Sequence, residues 1–378
     1  MRRILHQLYL LVLAALLSVS CGQQRQGRTP DNEAPIPLKY AQLLTLSRGK
    51  GYVVAEIKNP WDTTRVLHRY VLVHRSRKLP EELPQGEVVR TPLQNAVYYT
   101  SIHVSLVNEL GGYESIGGLC DTKYMTLPQL RKDLADGLIA DCGSGPAPNL
   151  ERIVDLNPDA ILLSPFENSG SYGKLGALGI PIIECADYME TGPLARAEWM
   201  HFYGLLIGRE QEARQLFTRV EEAYNGLKQS VQHVKKRPTV VDGKKFGSQW
   251  YVAGGQSTIG QLIADAGGRY VFAGVEASGS VPYSPERVFD QAREADVWMM
   301  KIRMDVPLTY SLLAQEWDNY AEMEAHKKRN IYVCDLGRVD YYEETPFHPD
   351  RILADYIHIF HPEALPQHRL RYYQRMTN

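Results

Sequence analysis

Aromatic rings and a few basic groups gather where this 378-residue chain leaves its apolar, strand-like runs. In the first half these are Tyr98, Tyr99 and Ser101, the stretch from Asp121 to Tyr124, Phe166 through Tyr172, and Asp187 with Tyr188. In the second half they are Phe246, Trp250 and Tyr251, then Lys301 and Arg303 at the end of an apolar run, then Tyr341, Tyr342, Glu343, Phe347 and His348. Rings cover apolar faces, while lysine and arginine meet carboxylates, catecholates or propionates through charge-assisted hydrogen bonds. The combination predicts non-covalent capture of a large, flat, anionic molecule. Catalysis has no comparable support: there is no nucleophile elbow, HExxH or CxxC, and the glycines of GGQSTIG, from Gly254, lack the spacing of a dinucleotide or phosphate loop. A metal ion needs three or four ligands converging on one point. His358 and His361 stand three apart on one predicted helix, and His103 and His201 lie far upstream, so structural roles are expected and no intrinsic metal or cofactor is predicted.

The elements that must position these groups come twice. SIHVSLVNELGGYESIGG begins at Ser101 and STIGQLIADAGGRYVFAG at Ser257; each opens on a hydroxyl able to cap a helix, continues with helical apolar spacing, and stops at a glycine pair before a β-branched or aromatic run. NLERIVDLNPDAILLS around Glu151 is echoed by YSPERVFDQAREADVWMM around Glu286, a short amphipathic helix leading into an apolar strand. The period is far too long for a solenoid. Between Pro193 and Lys235 only helical spacing appears, with Gly208 as a break and one helix expected from about Glu210 to Val234. The predicted fold is therefore α/β: two similar three-layer lobes, 88–208 and 237–378, joined by a single long helix over 209–236. Alternating apolar residues between Tyr40 and Arg77 add a β-hairpin over 38–87. Open α/β sheets hold ligands outside the carboxyl ends of their strands, which directs the aromatic and basic groups to the space between the lobes.

The N-terminus, MRRILHQLYLLVLAALLSVSCGQQ, has two arginines, an apolar run from Leu8 to Leu17, small residues and then Cys21. Residues 1–20 read as a secretory signal. Cys21 after Ser18, Val19 and Ser20 resembles the lipobox of bacterial lipoproteins, with Leu17 one place early, so Cys21 is expected to carry lipid and 21–37 to be a polar tether. The net charge of -2, without a basic block or aromatic-basic stripe, gives no support for nucleic acid. Export permits disulfides, and Cys120 with Cys142 is the one pair expected to bridge, because Cys185 and Cys334 belong to different lobes.

Lobe, long helix and lobe behind a lipid-anchored signal resembles the substrate-binding lipoproteins of ABC importers for ferric siderophores, haem and cobalamin. The resemblance runs from about Val88 to Leu365 and is carried by NLERIVDLNPDAILLS, LGALGIPII, HKKRNIYVCD and IHIFHPEAL. It implies a monomeric, non-enzymatic binding protein facing the periplasm and serving a permease dimer with its ATPase. It further implies that Glu151 in NLERI and Glu286 in SPERV, one per lobe, dock on arginines of that permease. The implied ligand is an iron complex, a ferric siderophore or haem, with cobalamin second; for haem, His348 or a tyrosine would be the axial ligand. A chelatase-like enzyme and an inert scaffold are the rival classes, and a scaffold would need a filled, apolar interlobe space.

Overall fold

A computed structural model describes residues 33–167 and 172–378. The expected signal, Cys21 and most of the tether lie outside the described residues. The chain first builds a five-stranded sheet: β1 (Ala34–Ile36), β2 (Leu44–Gly49), β3 (Tyr52–Lys58), β4 (Val66–His74) and β5 (Glu87–Thr91), ordered as numbered. The expected hairpin is its centre, β3 against β4. Its extent is a correction: β1 lies within the span read as tether, and Val88, read as the start of the first lobe, sits inside β5, which pairs in parallel with β4. Local alternation marks a strand but not a partner that needs a crossover to reach it. One face of the sheet, with Val53, Ala55, Ile57, Tyr70, Leu72 and Val89, merges with the main core, while Tyr52, Val54, Val71 and Val73 form a small cluster on the other.

The first lobe has β6 (Ala96–Tyr98), α1 (Ser101–Glu109), β7 (Ile116–Leu119), β8 (Ala140–Asp141), a small hairpin of β9 (Gly143–Ser144) and β10 (Ala147–Pro148), α2 (Leu150–Leu156), β11 (Ala160–Leu163) and β12 (Ile182–Glu184). Its parallel sheet runs β12-β11-β6-β7-β8. β12 is the edge, and the N-terminal sheet covers it: the Tyr70 hydroxyl donates to Ile182 O and accepts from Glu184 N, both at 2.8 Å. After α3 (Met200–Ile207), Gly208 turns at φ 70 into α4 (Glu210–Ser230). At 21 residues α4 is about 31 Å long, and it buries Ala213, Leu216, Phe217, Val220 and Tyr224 along one stripe.

The second lobe has β13 (Thr239–Asp242), β14 (Lys245–Phe246), β15 (Gln249–Ala253), α5 (Thr258–Asp265), β16 (Arg269–Tyr270), β17 (Ser280–Tyr283), α6 (Pro285–Ala292), β18 (Val297–Ile302), β19 (Ile331–Asp335), α7 (Tyr341–Glu344), α8 (Pro349–Phe360) and β20 (Gln374–Arg375). Its main sheet, β20-β19-β18-β13-β16, places β19, β18, β13 and β16 as β12, β11, β6 and β7 are placed in the first lobe. The sequence repeat is thus a repeat of topology. Thr100 caps α1 and Ser257 caps α5, and each helix is followed by a glycine that only an αL-tolerant residue can replace, Gly111 at φ 77 and Gly267 at φ 76. β14, β15 and β17 form a separate antiparallel sheet inserted in the second lobe.

The expected Cys120–Cys142 bridge is not formed; the four described cysteines are free and buried. Parallel pairing of Leu119 with Asp141 makes the two residues neighbours, but each Sγ turns to a backbone carbonyl, Cys120 to Cys142 O at 3.6 Å and Cys142 to Ala140 O at 3.8 Å. Burial pushes the thiols up, to about 12 for Cys120 and about 11 for Cys142, away from the reactive thiolate.

Candidate functional site

A cleft of about 650 Å³ opens between the lobes at the carboxyl ends of their strands. From the first lobe come Tyr99 and Ser101 at the exit of β6, Asp121, Lys123 and Tyr124 after β7, and Arg131 from the helix Pro128–Ala135. Facing them are Arg303 after β18, the turn from Leu336 to Asp340 after β19, and Tyr342 with Glu343 on α7. Lys123, Arg131, Arg303 and Arg338 stand against Asp121, Asp340 and Glu343, so the lining carries an excess of one positive charge.

Several of these groups are fixed by neighbours. Asp121 takes φ 51 and its carboxylate accepts from Gly145 N at 3.0 Å, which ties the hairpin loop to the cleft wall. Arg131 Nε donates to Met125 O at 2.8 Å, and Arg338 Nε lies 3.2 Å from an Asp335 carboxylate oxygen. The Lys123 ammonium sits 4.8 Å from the Tyr124 ring centroid. Ser101 Oγ donates across the cleft to Glu343 Oε1 at 2.9 Å, and burial raises the Glu343 carboxyl above its ordinary range. The Tyr99 hydroxyl is buried beside the Cys120 thiol and makes no hydrogen bond of ordinary geometry among the described residues. Arg303 makes no ion pair among the described residues, so its guanidinium is available to an anion in the cleft.

Of the residues predicted to meet a ligand, the structure brings Tyr99, Ser101, Asp121, Lys123, Tyr124, Arg303, Tyr342 and Glu343 together and places the following elsewhere. Lys301 lies within β18, and its ammonium donates to both carboxylate oxygens of Asp242 at 2.7 and 2.8 Å. Burial alone would lower it, but Asp242 outweighs burial and keeps it charged. Trp250 is fully buried, 5.9 Å from Trp298 and 5.8 Å from Tyr320 between ring centroids. Tyr341 is buried against Tyr372 and Tyr373. His348 is also buried, with Nε2 2.7 Å from Glu109 Oε2, a clasp between the lobes that leaves it unfit as an axial ligand.

Phe166 and Tyr172 line a different pocket, between the N-terminal sheet and the outer edge of the first lobe, where the Tyr172 hydroxyl donates to Glu184 at 2.6 Å. Tyr188 donates to Pro165 O at 2.5 Å, within its own lobe. Phe246 is 80% exposed on β14 and does not line the cleft. Arg131 and Arg338 were missed, although Arg338 stands three residues after the strand IYVCD, in the same kind of strand exit that Arg303 occupies directly after VWMMKI. Glu151 and Glu286 occupy equivalent first turns of α2 and α6, both exposed, behind the side-chain caps Asn149 and Ser284. Among the described residues no group of three or more His, Cys, Asp or Glu side chains is placed to hold a metal ion.

Two equivalent sheets, one connecting helix and a cleft at the strand exits agree with the comparison to known families, in which residues 97–336 match the periplasmic binding protein model. The chain belongs to that family. As a periplasmic binding protein it is 27% identical over 300 residues to an uncharacterized lipoprotein of Methanocaldococcus jannaschii, covering 76% of this chain and 70% of that one. Its fold is similar to a periplasmic haem-binding protein from Pseudomonas aeruginosa, with a TM-score of 0.58, 18% identity, and 75% and 98% of the two chains covered. It is equally similar to the molybdate-binding protein MolA of Haemophilus influenzae, with a TM-score of 0.58, 14% identity, and 74% and 89% covered. Both likenesses concern the fold. Among the described residues of this periplasmic binding protein no helix is long and apolar enough to cross a membrane.

Proposed function

We propose that this periplasmic binding protein is the substrate-binding component of an ABC importer, and that it captures an anionic iron complex, a ferric siderophore or haem, between its lobes. The observation that carries this reading is the cleft itself. Its volume of about 650 Å³ falls within the range of small-molecule sites, roughly 300–1,000 Å³, and four cations stand among three tyrosines. The charge suits peripheral carboxylates or catecholates, and the rings suit a flat body. Cys21 serves as the lipid anchor, and the exposed Glu151 and Glu286 meet basic groups of the permease dimer. Fixed at helix N-termini, where the dipole favours a negative charge, they offer one carboxylate per lobe to a two-fold partner.

Titration of the purified protein with ferric siderophores, haemin and cyanocobalamin, followed by absorbance and calorimetry beside an uptake assay, tests the reading. One iron complex should bind at a single site. Glu151→Ala with Glu286→Ala should leave that affinity unchanged and abolish uptake. Selective binding of cyanocobalamin would move the protein to a cobalamin system, and loss of ligand affinity in the glutamate pair would contradict the docking role.

A further inference from the structure

Three features meet at one end of the N-terminal sheet. Ala34, in the first strand, pairs with Arg48 of β2. Arg48 leads into the turn that carries Lys50, and a Cβ added to Gly51 in that turn would lie 3.6 Å from Pro80 and 3.9 Å from Arg77 Nη1. β4 ends with His74 opposite Thr91, and the turn beyond it carries Arg75, Arg77 and Lys78. The entry of the chain and both basic turns therefore share one end of the sheet.

Some of these cations are already engaged. Arg48 binds Glu210 at 2.7 Å, Arg75 pairs with Asp159, and Arg90 donates to the carbonyls of Arg75 and Arg77 at 2.9 and 2.7 Å, which holds the second turn in shape. Lys50, Arg77 and Lys78 are exposed and make no ion pair among the described residues. Beside them Leu79 is 54% exposed, and the carboxylates of Glu81 and Glu82 follow after Pro80. Asp159 immediately precedes β11, so this end lies at the amino ends of the first lobe's strands, on the face opposite the cleft.

We propose that this end of the N-terminal sheet is a docking surface for an anionic phospholipid bilayer. Unpaired basic side chains around an exposed leucine match the headgroup boundary, where lysine and arginine meet phosphate and an apolar side chain enters the acyl edge. The choice of a bilayer as partner rests on Cys21 being the lipid anchor, whereas the charge of the surface does not. Only residues 22–32 separate Cys21 from the described chain, at most about 40 Å when extended, and they lead directly to this end. A diacylated cysteine already retains the protein, so the effect of the surface is orientation. While it rests on the bilayer, the cleft and Glu151 face away from that membrane.

Vesicle co-sedimentation tests this with the chain beginning at Gly22, which keeps every described residue and has no lipid. It should bind vesicles of phosphatidylcholine with phosphatidylglycerol and not phosphatidylcholine alone, and the binding should fall at least tenfold from low to physiological salt. Lys50→Glu, Arg77→Glu and Lys78→Glu together should weaken it at least tenfold with the thermal midpoint retained. Lys327→Glu with Lys328→Glu, in the second lobe, should not. Absence of anionic-vesicle binding, equal loss in the second-lobe variant, or displacement by millimolar inorganic phosphate would overturn the proposal. Mass analysis of Cys21 in the exported protein reports on the anchor separately, so the two ideas can fail independently.

Discussion

Lys301 and Arg303 stand two positions apart, and only distance information separates their roles. Both read as cations at a strand exit, but Asp242, which captures Lys301, is 59 residues away in sequence and next to it only through the pairing of β13 with β18. Nothing local marks that partner. Trp250 illustrates the same limit, because a tryptophan in a short alternating strand suits a binding loop as well as the Trp298 and Tyr320 cluster that buries it. Arg303, past the end of β18, was legible from position alone. The two cations should respond differently to removal. Lys301→Met strands a buried carboxylate and should destabilise the protein by about 3–5 kcal/mol. Arg303→Ala should leave stability nearly unchanged and weaken an anionic ligand by about 1.5–3 kcal/mol. Thermal melts beside ligand titrations separate them, and a melt unaffected by Lys301→Met would refute the buried-pair account.

At the scale of elements, the repeated helix-to-strand units and the long helix were legible because capping, glycine stops and apolar spacing are local signals. The N-terminal sheet was only half legible. Its central hairpin alternates clearly, whereas β1 has three residues and β5 pairs across a proline-rich connector. Its docking was invisible in sequence, since it rests on contacts between distant residues. Glu198 accepts from the backbone N–H groups of Lys39, Tyr40 and Ala41, each at 2.7 Å, and the buried Glu190 accepts from Gln42, Leu43 and the Trp199 indole.

A further tie between sheet and lobe depends on pH. His68 on β4 lies 3.0 Å from Glu184 of β12 and 2.9 Å from Glu87. Burial alone would lower its pKa, but Glu184 and Glu87 outweigh burial and raise it to about 9. A raised folded value stabilises fully below the ordinary 6.5 and is lost as pH rises through about 9. His68→Gln should therefore cost most stability near pH 6 and progressively less toward pH 10. Denaturant titrations of both proteins across that range give the difference directly, and a difference that stays flat would remove His68 as a charged clamp.

The whole molecule is organised so that its two halves keep their spacing. α4 contains one glycine, Gly226, and no proline, and it packs along α8 of the second lobe, so it has no break at which to fold. The lobes also hold each other directly. His348 meets Glu109, Arg351 lies 3.8 Å from the same carboxylate, Ser101 meets Glu343, and the Phe347 ring packs edge-on at 5.6 Å against Tyr203 of α3. Wide closure would have to break a buried histidine contact and slide an aromatic pair. A cleft held this way favours recognition by side-chain adjustment of Arg303, Arg338 and Tyr342. It also keeps Glu151 and Glu286 at one separation whether or not the cleft is filled, so a docking partner would need another cue, such as the ligand itself, to sense loading. Small-angle scattering should then give the same radius of gyration, within error, for the free protein and for the protein saturated with a ligand that titration shows it to bind. A clear compaction on saturation would mean that α4 bends or that the His348–Glu109 clasp opens, and the fixed-spacing account would fail.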